Sequence, residues 1–409
     1  MDGSVGGAGE AGASHALHPN PDWASLPLFD RTGWRRVRFG DVVRQLKEVV
    51  DPVAEGVERY VAGEHMETEN VHIRKWGQVG DGYLGPAFIR RFRRGQVLYG
   101  SRRTYLKKVA VAEWDGVTAN TTFVLEAVEG RLLPELLPWL MLSERFTKHS
   151  IQASKGSTNP YINFPDIAKF EFALPPLDQQ RGLAEILWAV DDLVGRYTGM
   201  TLRLADALAA ARTDAVSCDD QAVETTVADV CETIVDCPHT SPHFVRTGVL
   251  VVRNFNIHDG YLDLTQPFYT SEAEWSERVQ RLVPRERDLL FSREAPVGEA
   301  CLVPPETRLS LGQRTMLLRA DVSRIIPEYL LHILYAPSVQ REMRSLAIGS
   351  TVPHLNVKDV RRLAIKVPPI GSQECALCRL NAIRELQDAA LQTVQDSRRL
   401  RDTLTDMLM

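Results

Sequence analysis

The sequence is poor in cysteine and has no long apolar run, and each shortage excludes a class of protein. It holds six cysteines in 409 residues without a framework spacing, which excludes a disulfide-dense scaffold and indicates a reduced, cytoplasmic protein. No stretch reaches the roughly 18 to 20 apolar residues of a membrane span. The most apolar one, residues 132–142, contains a glutamate and two prolines. The first 14 residues lack the basic and apolar regions of a signal peptide, so we expect a disordered tail over residues 1–29.

Motifs of enzymes that bind nucleotides or metals are also missing. There is no GxxxxGK[ST] phosphate loop and no convincing Ser–His–Asp or paired-carboxylate arrangement. Gly80–Gly85 matches GxGxxG, but Pro86 and strand-like residues follow where that motif needs a helix N-terminus, so we interpret it as a turn. The Cys/His groups around Cys237 and Cys378 lack a four-ligand spacing. We therefore predict no metal, no cofactor and no catalytic residue in this chain.

Basic and acidic residues nearly balance, but they are distributed unevenly. The 48 basic and 53 acidic residues give a net charge of −5, which by itself argues against a histone-like nucleic-acid binder. Residues 89–108 nevertheless contain eight Lys/Arg and no acid, interleaved with Tyr99 and Tyr105. This pattern is typical of a nucleic-acid-binding surface, and a solvated charged face is the alternative. Residues 282–301, the corresponding segment of the second half, carry three arginines against four acids and would need individually placed contacts.

What the sequence does contain is an internal repeat. Residues 156–180 and 349–373 share Gly-Ser-Thr, single Pro, Asn and Asp residues, Pro-Pro and Gln, always 193 positions apart. The same separation relates Thr122 to Thr315, and it slips by a few positions further upstream. Two divergent copies of one fold explain this pattern, because loops change length more readily than helices and strands.

Both copies have the same predicted order of elements, which gives a mixed α/β fold class. Short strands come first, followed by a short helix opened by a proline, the Gly-Ser-Thr loop, a strand ending at Pro-Pro, and one long helix. The predicted short helices lie near 134–147 and 327–345. Strands are predicted at 97–99, 109–112, 122–125, 249–253, 289–291 and 316–318.

The two long helices are predicted from about Asp178 to about Ser217 and from about Ser372 to the C-terminus. Apolar residues recur in both at every third or fourth position, as in a coiled coil. A helix of about 38 residues spans ~57 Å, which is too long for one small domain to cover. An antiparallel, coiled-coil-like pair that separates two domains is favoured over a core helix of one large domain. The chain then divides into a tail (1–29), a sheet domain (30–177), a long helix (178–217), a second sheet domain (218–370) and a second long helix (371–409).

The repeated motifs resemble those of the DNA specificity subunits of type I restriction–modification systems, over residues 34–409. The runs GQVLYGSRRTYL at 95–106 and DLLFSREAPVGE at 288–299 are similar to a strand and loop of the family's two target-recognition domains. The run LPPLDQQR at 174–181 resembles the beginning of its central conserved helix, whereas GSQEC at 371–375 departs from that pattern.

The resemblance implies a non-catalytic subunit with two target-recognition domains, each of which reads one half of a bipartite, asymmetric site in double-stranded DNA. The long helices, its central and C-terminal conserved spacer helices, would fix the gap between the half-sites. They would also dock modification subunits, usually two. Those partners bind S-adenosylmethionine and methylate adenine at N6 after flipping the base. A restriction subunit, where present, uses ATP and Mg.

The predicted contact residues follow from the basic segment, the strand-loop motifs and the Gly-Ser-Thr loops. Arginine suits the guanine edge and glutamine the adenine edge, while the Gly-Ser-Thr loops could instead be structural turns. For DNA we predict Arg90, Arg91, Ser101, Arg102, Arg103, Tyr105, Lys107, Ser157, Thr158 and Tyr161, and in the second domain His239, Thr240, Ser292, Arg293, Gln313, Arg314, Ser350, Thr351 and His354. For the partner subunits we predict Leu183, Ile186, Val190, Leu193, Tyr197, Leu380, Ile383 and Leu386.

Two other classes of function stay open at this point. A self-contained DNA methyltransferase or nuclease is opposed by the missing motifs. Asn159-Pro160-Tyr161 resembles the Asn-Pro-Pro-Tyr loop of adenine methyltransferases, but it lacks the second proline, and the other copy has Val352-Pro353-His354. The remaining class is a non-restricting DNA-recognition or scaffold subunit of another phage-defence methyltransferase complex.

Overall fold

The computed structural model describes residues 30–82, 84–217, 219–349 and 353–408. The chain forms two compact units. The first unit runs as far as Tyr197 and resumes at Gln392, and the second is Thr198–Leu391. Each unit therefore contains the sheets of one copy of the repeat and a segment of both long helices. The predicted tail, 1–29, lies outside the described residues.

The first copy begins with strands and ends with the first long helix. In chain order its elements are β1 (Arg35–Arg38), α1 (Phe39–Val42), β2 (Val43–Leu46), β3 (Arg59–Val61), β4 (Gly77–Gln78), β5 (Arg90–Phe92), β6 (Val97–Gly100), β7 (Val109–Val111), β8 (Gly116–Thr118), β9 (Thr122–Ala127), α2 (Leu137–Leu142), α3 (Glu144–Gln152), α4 (Phe164–Ile167), β10 (Glu171–Leu174) and α5 (Leu177–Ser217). A 3-10 turn, Thr104–Leu106, connects β6 to β7.

The second copy follows a similar plan. Its elements are β11 (Val223–Thr226), β12 (Cys231–Asp236), β13 (Val249–Val252), β14 (Ile257–His258), β15 (Tyr261–Leu262), β16 (Phe268–Thr270), α6 (Glu272–Arg278), β17 (Leu289–Ser292), β18 (Ala300–Leu302), β19 (Leu309–Leu311), β20 (Thr315–Ala320), α7 (Pro327–Leu334), α8 (Pro337–Leu346), α9 (Val357–Arg362), β21 (Ala364–Val367) and α10 (Ile370–Met407). This copy lacks a counterpart of α1 and has an additional helix, α6, between β16 and β17.

One four-stranded sheet of each copy corresponds strand by strand, and the other sheets correspond in part, which supports the repeat deduced from the sequence. An antiparallel sheet of order β2-β9-β6-β7 in the first copy matches β12-β20-β17-β18 in the second. In a further sheet β3 pairs in parallel with β8, as β13 does with β19. The strands that end at Pro-Pro, β10 and β21, pair with β1 and β11.

Strands β6 and β17 lie at equivalent inner positions of the sheets β2-β9-β6-β7 and β12-β20-β17-β18. Each strand is apolar on both faces because both faces of its sheet are covered. In β6, Val97 and Tyr99 face the core that contains the helices, whereas Leu98 belongs to a second core formed with the other sheet. In β17, Leu289 and Phe291 likewise belong to one core and Leu290 to the other. A strand covered on both sides reads as a continuous apolar run rather than an alternating one.

Each short helix predicted after the sheet is in fact two helices. In the first copy the break falls at Ser143, whose side-chain oxygen accepts a hydrogen bond from the Phe146 backbone N–H and so begins α3. In the second copy Pro337 begins α8, because its ring cannot continue the preceding helix. Pro327 does begin α7, as predicted, but α2 begins at Leu137, three residues after the predicted Pro134.

The long helices match their predicted ranges, and within each unit their segments pack together. In the first unit Leu187 of α5 and Leu404 of α10 share one core. In the second unit Leu208 and Ala211 of α5 cluster with Leu380 of α10. The first unit thus holds the beginning of α5 and the end of α10, so the two helices run in opposite chain directions. Among the described residues, no helix is both long and apolar enough to cross a membrane.

One buried glutamine in each copy explains why Pro-Pro and Gln recur together. The Gln180 side chain, 1% exposed, donates to the carbonyls of Arg131 and Pro175 at 3.0 and 2.9 Å and accepts from the Leu133 N–H at 2.8 Å. Gln373 makes the same three bonds 193 positions later, to the backbones of Arg324, Pro368 and Ile326. The glutamine therefore fixes the long helix to the loop that precedes the short helices.

Replacing Gln180 with leucine is expected to lower the free energy of unfolding of the first unit by about 1–3 kcal/mol. The apolar side chain would leave two carbonyls and one N–H buried without partners. Urea unfolding followed by tryptophan fluorescence measures this effect. The exposed Gln392, which bonds only to Asp396 among the described residues, is the matched control, and Gln392→Leu should change the stability little. Equal effects of the two substitutions would contradict the role of Gln180.

Candidate nucleic-acid interface

Two segments of the first domain that we predicted to contact DNA meet at one end of the sheet β2-β9-β6-β7. Ser101 follows β6, and its N–H and hydroxyl both donate to the Thr121 carbonyl, at 3.1 and 2.6 Å. Its own carbonyl accepts from the Ile162 N–H at 2.9 Å. The Arg103 N–H donates to the Pro160 carbonyl at 2.7 Å. We call residues 101–105 and 156–161 the paired loops; their backbones hold each other in place.

The paired loops present cations and aromatic rings to solvent. Arg102 forms a β-bridge with Tyr161, and its guanidinium carbon lies 6.0 Å from the centre of that ring. Tyr161 is 41% exposed and Tyr105 is 52% exposed. Within the described residues, neither Arg102 nor Arg103 has an acidic partner. Ser157 and Thr158 lie at the exposed tip of the second loop, after Gly156, whose φ of +86° favours glycine.

Three of the six other cations of the basic segment are already paired with acids from distant parts of the chain. Arg91 lies 2.6 Å from Glu55, and Arg93 lies 2.6 Å from Glu48. Lys107 lies 2.7 Å from Glu69 and 3.6 Å from Glu144. Burial acts to lower the pKa of Lys107, but these two carboxylates outweigh it and hold the pKa above its ordinary value.

Three other residues predicted to contact DNA therefore differ from Arg102 and Arg103, because their side chains already bind groups of this chain. These residues are Arg90, Arg91 and Lys107. Arg90 is in β5, in the other sheet, and its side chain donates to the Lys47 carbonyl at 2.6 Å. Arg91 and Lys107 would have to leave their carboxylates to bind phosphate. The paired loops therefore carry two exposed arginines without an acidic partner among the described residues, and Arg94, outside the loops, is a third.

The second domain gathers its predicted residues at the equivalent end of its sheet. The Arg293 N–H, after β17, donates to the Arg314 carbonyl at 2.9 Å, and the Gln313 side chain reaches the His239 carbonyl at 3.5 Å. His354 forms a β-bridge with Glu294. Ser350 and Thr351 lie outside the described residues.

In this domain the predicted arginines are tied to acids of their own chain. Arg293 lies 3.0 Å from Asp236, and its side chain is 16% exposed. Arg314 lies 3.0 Å from Glu294. Ser292 is fully buried, and its hydroxyl donates to the Pro296 carbonyl at 2.7 Å.

The loop after β12 contains His239 and Thr240, which differ in their contacts within the chain. The His239 side chain is 79% exposed, whereas Thr240 accepts from the Arg278 guanidinium at 3.1 Å through its carbonyl. The polar side chains of this end that are most available are those of His239 and Gln313. This is a smaller set than the sequence suggested.

The residues predicted to bind partner subunits divide by exposure. In the first unit Leu183 and Val190 are buried in the unit's own core, whereas Ile186 and Leu193 are each 39% exposed and Tyr197 is half-buried. In the second unit Leu380 is buried, Ile383 is half-buried and Leu386 is 52% exposed.

Two residues predicted to bind partners, Ile186 and Leu193, lie beside the buried face of α5. The helix buries Leu187 and Val194, one position after the predicted Ile186 and Leu193. The reason is that α5 packs against the sheet domain as well as against α10, so its buried stripe is wider than a strict two-helix seam.

The Cys and His groups give no sign of metal chemistry in the described parts of the chain. No cluster of three or more His, Cys, Asp or Glu side chains there is placed to hold a metal. Cys237 and Cys301 are buried, and burial raises the pKa of the Cys301 thiol to about 12. A thiol with a raised pKa is a poor nucleophile at neutral pH.

Comparison with known proteins gives these features a context. Residues 91–196 match the family described as the type I restriction modification DNA specificity domain. The EcoDI type I restriction enzyme specificity subunit of Escherichia coli is 25% identical over 195 residues, which are 45% of this chain and 40% of that protein. A putative MjaX type I restriction enzyme specificity subunit of Methanocaldococcus jannaschii is 19% identical over 404 residues, 88% of this chain and 92% of that protein.

The fold is similar to that of a solved structure as well. The S subunit of a type I restriction–modification system from M. genitalium superposes with a TM-score of 0.58 and 12% identity, over 92% of this chain and 96% of that one. At this identity the likeness concerns the fold alone. The match to the E. coli protein spans less than half of its length, whereas the other two extend along most of both chains.

Proposed function

We infer that this chain, which belongs to the DNA specificity subunits of type I restriction–modification systems, selects the DNA site at which such a system acts. Its membership confirms the resemblance that the repeated motifs indicated. The chain is a non-catalytic component of its complex, and subunits of this kind carry no cofactor of their own. S-adenosylmethionine, and ATP with Mg where a restriction subunit exists, belong to its partners. We also propose a cytoplasmic location.

We propose that residues 30–177 and 218–370 are the two target-recognition domains and that they read different half-sites. The observation that carries this proposal is the equivalent placement of the predicted loops at the same end of two corresponding sheets. The side chains at those ends differ: Arg102 and Arg103 are unpaired among the described residues, whereas Arg293 and Arg314 are paired with acids. Different base-contacting side chains give different sequence preferences, so the target should not be a palindrome.

The proposal is tested by identifying the target in the host genome. The chain is produced with its modification subunits in a host that lacks adenine methylation, and the methylated adenines are mapped. We expect two unlike half-sites separated by a spacer of constant length. A single half-site or a palindromic target would contradict the assignment of two readers. Methylation by the isolated chain, with S-adenosylmethionine and without a partner, would contradict the non-catalytic role.

We propose that α5 and α10 dock the modification subunits, two per chain, and set the spacer between half-sites. Apolar side chains that stay exposed outside the buried faces of the two helices support this role, because they gain free energy when a partner covers them. Ile186 and Leu193 stand two helical turns apart on α5, and Leu386 is exposed on α10. Leu183, Val190 and Leu380, by contrast, support the helices from within.

Replacing both Ile186 and Leu193 with glutamate is expected to weaken the association with the modification subunit by roughly tenfold or more, since central apolar anchors carry much of an interface's energy. The fold should be unchanged, because both side chains are already 39% exposed. Size-exclusion chromatography of the co-expressed complex measures the effect. Ile151→Glu is the control, at a 45% exposed position on α3. Normal assembly of the double variant would remove this part of α5 from the interface.

A further inference from the structure

An arginine that the sequence did not single out lies on three aromatic rings beside the predicted contacts of the second domain. Arg253 follows β13, and its guanidinium carbon lies 4.8, 5.2 and 5.9 Å from the ring centres of Phe255, Phe268 and Phe244. The rings pack edge-to-face, Phe244 on Phe268 at 5.0 Å and Phe255 on Phe268 at 5.6 Å. We call these four residues the Arg253 cradle.

The guanidinium of the Arg253 cradle keeps its hydrogen-bond donors available. Across residues 219–349 and 353–408, it has no carboxylate within ion-pair distance and no acceptor for its donors. Its neighbours Arg293 and Arg314 are bound to Asp236 and Glu294 at 3.0 Å each. Unlike Arg293 and Arg314, Arg253 therefore keeps the donors of its guanidinium free of acceptors from the described part of this unit.

The Arg253 cradle adjoins the loop from which we predict base contacts. The Gly312 N–H donates to the Val252 carbonyl at 2.7 Å, and a β-carbon at Gly312 would lie 2.9 Å from the Arg253 Cγ. Glycine is thus required for the close approach of the loop that continues into Gln313. On the other side the Asn254 side chain donates to the Glu294 carbonyl at 2.9 Å, which ties the cradle to the β17 end.

Packing against aromatic rings restricts the position of this arginine. The rings attract the cation, and the side chain is only half-buried, so part of it stays accessible to solvent. A planar fork of two donors matches the O6 and N7 acceptors of guanine in the major groove. The first domain presents a comparable pair at its equivalent end, where Arg102 lies over Tyr161.

Two other arginines stack on aromatic rings in a different setting. Arg308 lies 4.3 Å from the centre of the Trp275 ring, but both of its terminal nitrogens bind Glu272, at 3.0 and 2.7 Å. Arg59 lies between Trp76 and Trp114, beside a cavity whose lining includes three acids. Neither joins the predicted loops.

We propose that Arg253, held over Phe244, Phe255 and Phe268, reads a base edge in the half-site recognised by the second domain. This proposal rests on the proposed function and adds to it a specificity-determining residue. It predicts that one base pair of that half-site is read through the fork of this guanidinium.

The test uses the complex of the full chain with its modification subunits and short duplexes that carry the mapped target. Dissociation constants are measured by fluorescence anisotropy, at one stated salt concentration, for the target and for every single-base-pair change in both half-sites. The proteins compared are the wild type, Arg253→Lys, Arg253→Gln and the control Arg308→Lys. Thermal melting confirms that each variant is folded. Arg253→Lys keeps the charge and most of the stem, so either variant suffices if the other is unstable.

We expect the wild type to discriminate roughly 5- to 100-fold at the base pair that Arg253 reads. Both Arg253 variants should lose that discrimination, at a position on one side of the spacer only, while Arg308→Lys behaves as the wild type. Unchanged discrimination in both Arg253 variants would overturn the proposal, and so would an equal loss of affinity for all duplexes, which indicates a phosphate contact. A wild-type complex without any sequence preference would instead overturn the proposed function itself.

Discussion

Replacing Arg102 or Arg103 with alanine is expected to weaken binding to the target duplex by ~1–3 kcal/mol each, or roughly 5- to 100-fold. Both arginines lie on the paired loops, and neither has an acidic partner among the described residues. A contact to phosphate should weaken binding to all duplexes alike and reduce the salt dependence, whereas a contact to a base should change the preference at one position. Titrations of the complex at several salt concentrations distinguish these outcomes.

The matched control for these substitutions is Arg93→Ala. Arg93 belongs to the same basic segment, but both of its terminal nitrogens bind Glu48, at 2.6 and 3.0 Å. If the paired loops are the contact surface, Arg93→Ala should change DNA affinity little. If Arg93→Ala weakens binding as much as Arg102→Ala, then the whole basic strip acts by bulk attraction and the loops have no special role.

Replacing Asp191 with alanine is expected to lower the free energy of unfolding of the first unit by about 3–5 kcal/mol, because it leaves the Arg401 guanidinium without its buried counter-ion and only the exposed Asp402, at 3.5 Å, remains. Asp191 on α5 is 6% exposed, lies 3.1 Å from Arg401 of α10 and accepts from His72 at 2.8 Å. Arg401 is also 6% exposed. Urea unfolding followed by tryptophan fluorescence reports on this unit, because six of the seven tryptophans precede residue 197.

Two further variants test whether the unpaired buried charge causes the loss of stability. Asp192 is the next residue on the same helix, but it forms an exposed pair with Arg196 at 2.7 Å, so Asp192→Ala should cost at most about 1 kcal/mol. The double variant Asp191→Leu with Arg401→Met removes both charges and should recover most of the lost stability. A double variant as unstable as Asp191→Ala would mean that packing, and not the unpaired charge, causes the loss.

The same cluster predicts a dependence on pH through His72. Its hydrogen bond to Asp191 raises the pKa of His72 above its ordinary value, against the opposing effect of burial, and Glu113 adds to the rise. A raised pKa in the folded state stabilises fully below the unfolded value of about 6.5, and this contribution is lost as the pH rises through the folded pKa. Two cations lie near this cluster: Arg74 acts to lower the pKa of His72, and Arg401 forms an ion pair with Asp191.

We therefore expect the stability difference between the wild type and His72→Gln to be largest at pH 5.5 and to shrink toward pH 8.5, values chosen to span the ordinary histidine pKa of roughly 6.5. Melting temperatures of both proteins across that range give the measurement. A constant difference would show that His72 acts through neutral hydrogen bonds and packing alone.

Regular elements could be predicted because their signals are local. The ends of α5 and α10, and the strands at 97–99 and 289–291, agree with the predictions to within a few residues. The signals were the apolar spacing, Pro-Pro and the Gly-Ser-Thr loop. Each of them depends on residues only a few positions apart, and the repeat contains each of them twice. The division of the short helix at Ser143 was missed because a single serine cap is a weak signal inside an apolar run.

The electrostatic character of the candidate site could not be predicted in the same way. The window 89–108 contains no acid, yet Glu48, Glu55 and Glu69 approach it in space and neutralise Arg91, Arg93 and Lys107. In the second domain we predicted that Arg293 and Arg314 contact DNA, but each is bound to an acid. Arg253 was not predicted, because it directly follows an apolar strand. A count along the sequence cannot include partners that only folding brings near.

The sequence by itself determined that this protein has two copies of one fold, that each copy ends in a long helix, and which family its motifs resemble. Those properties depend on periodicity and on motifs whose parts lie close together along the chain. Only the tertiary structure decided which arginines keep free donors, which side chains of α5 stay exposed, and that Gln180 and Gln373 fix the long helices to the preceding loops. Each of those outcomes depends on contacts between residues far apart in the chain, where geometry rather than local composition selects the partner.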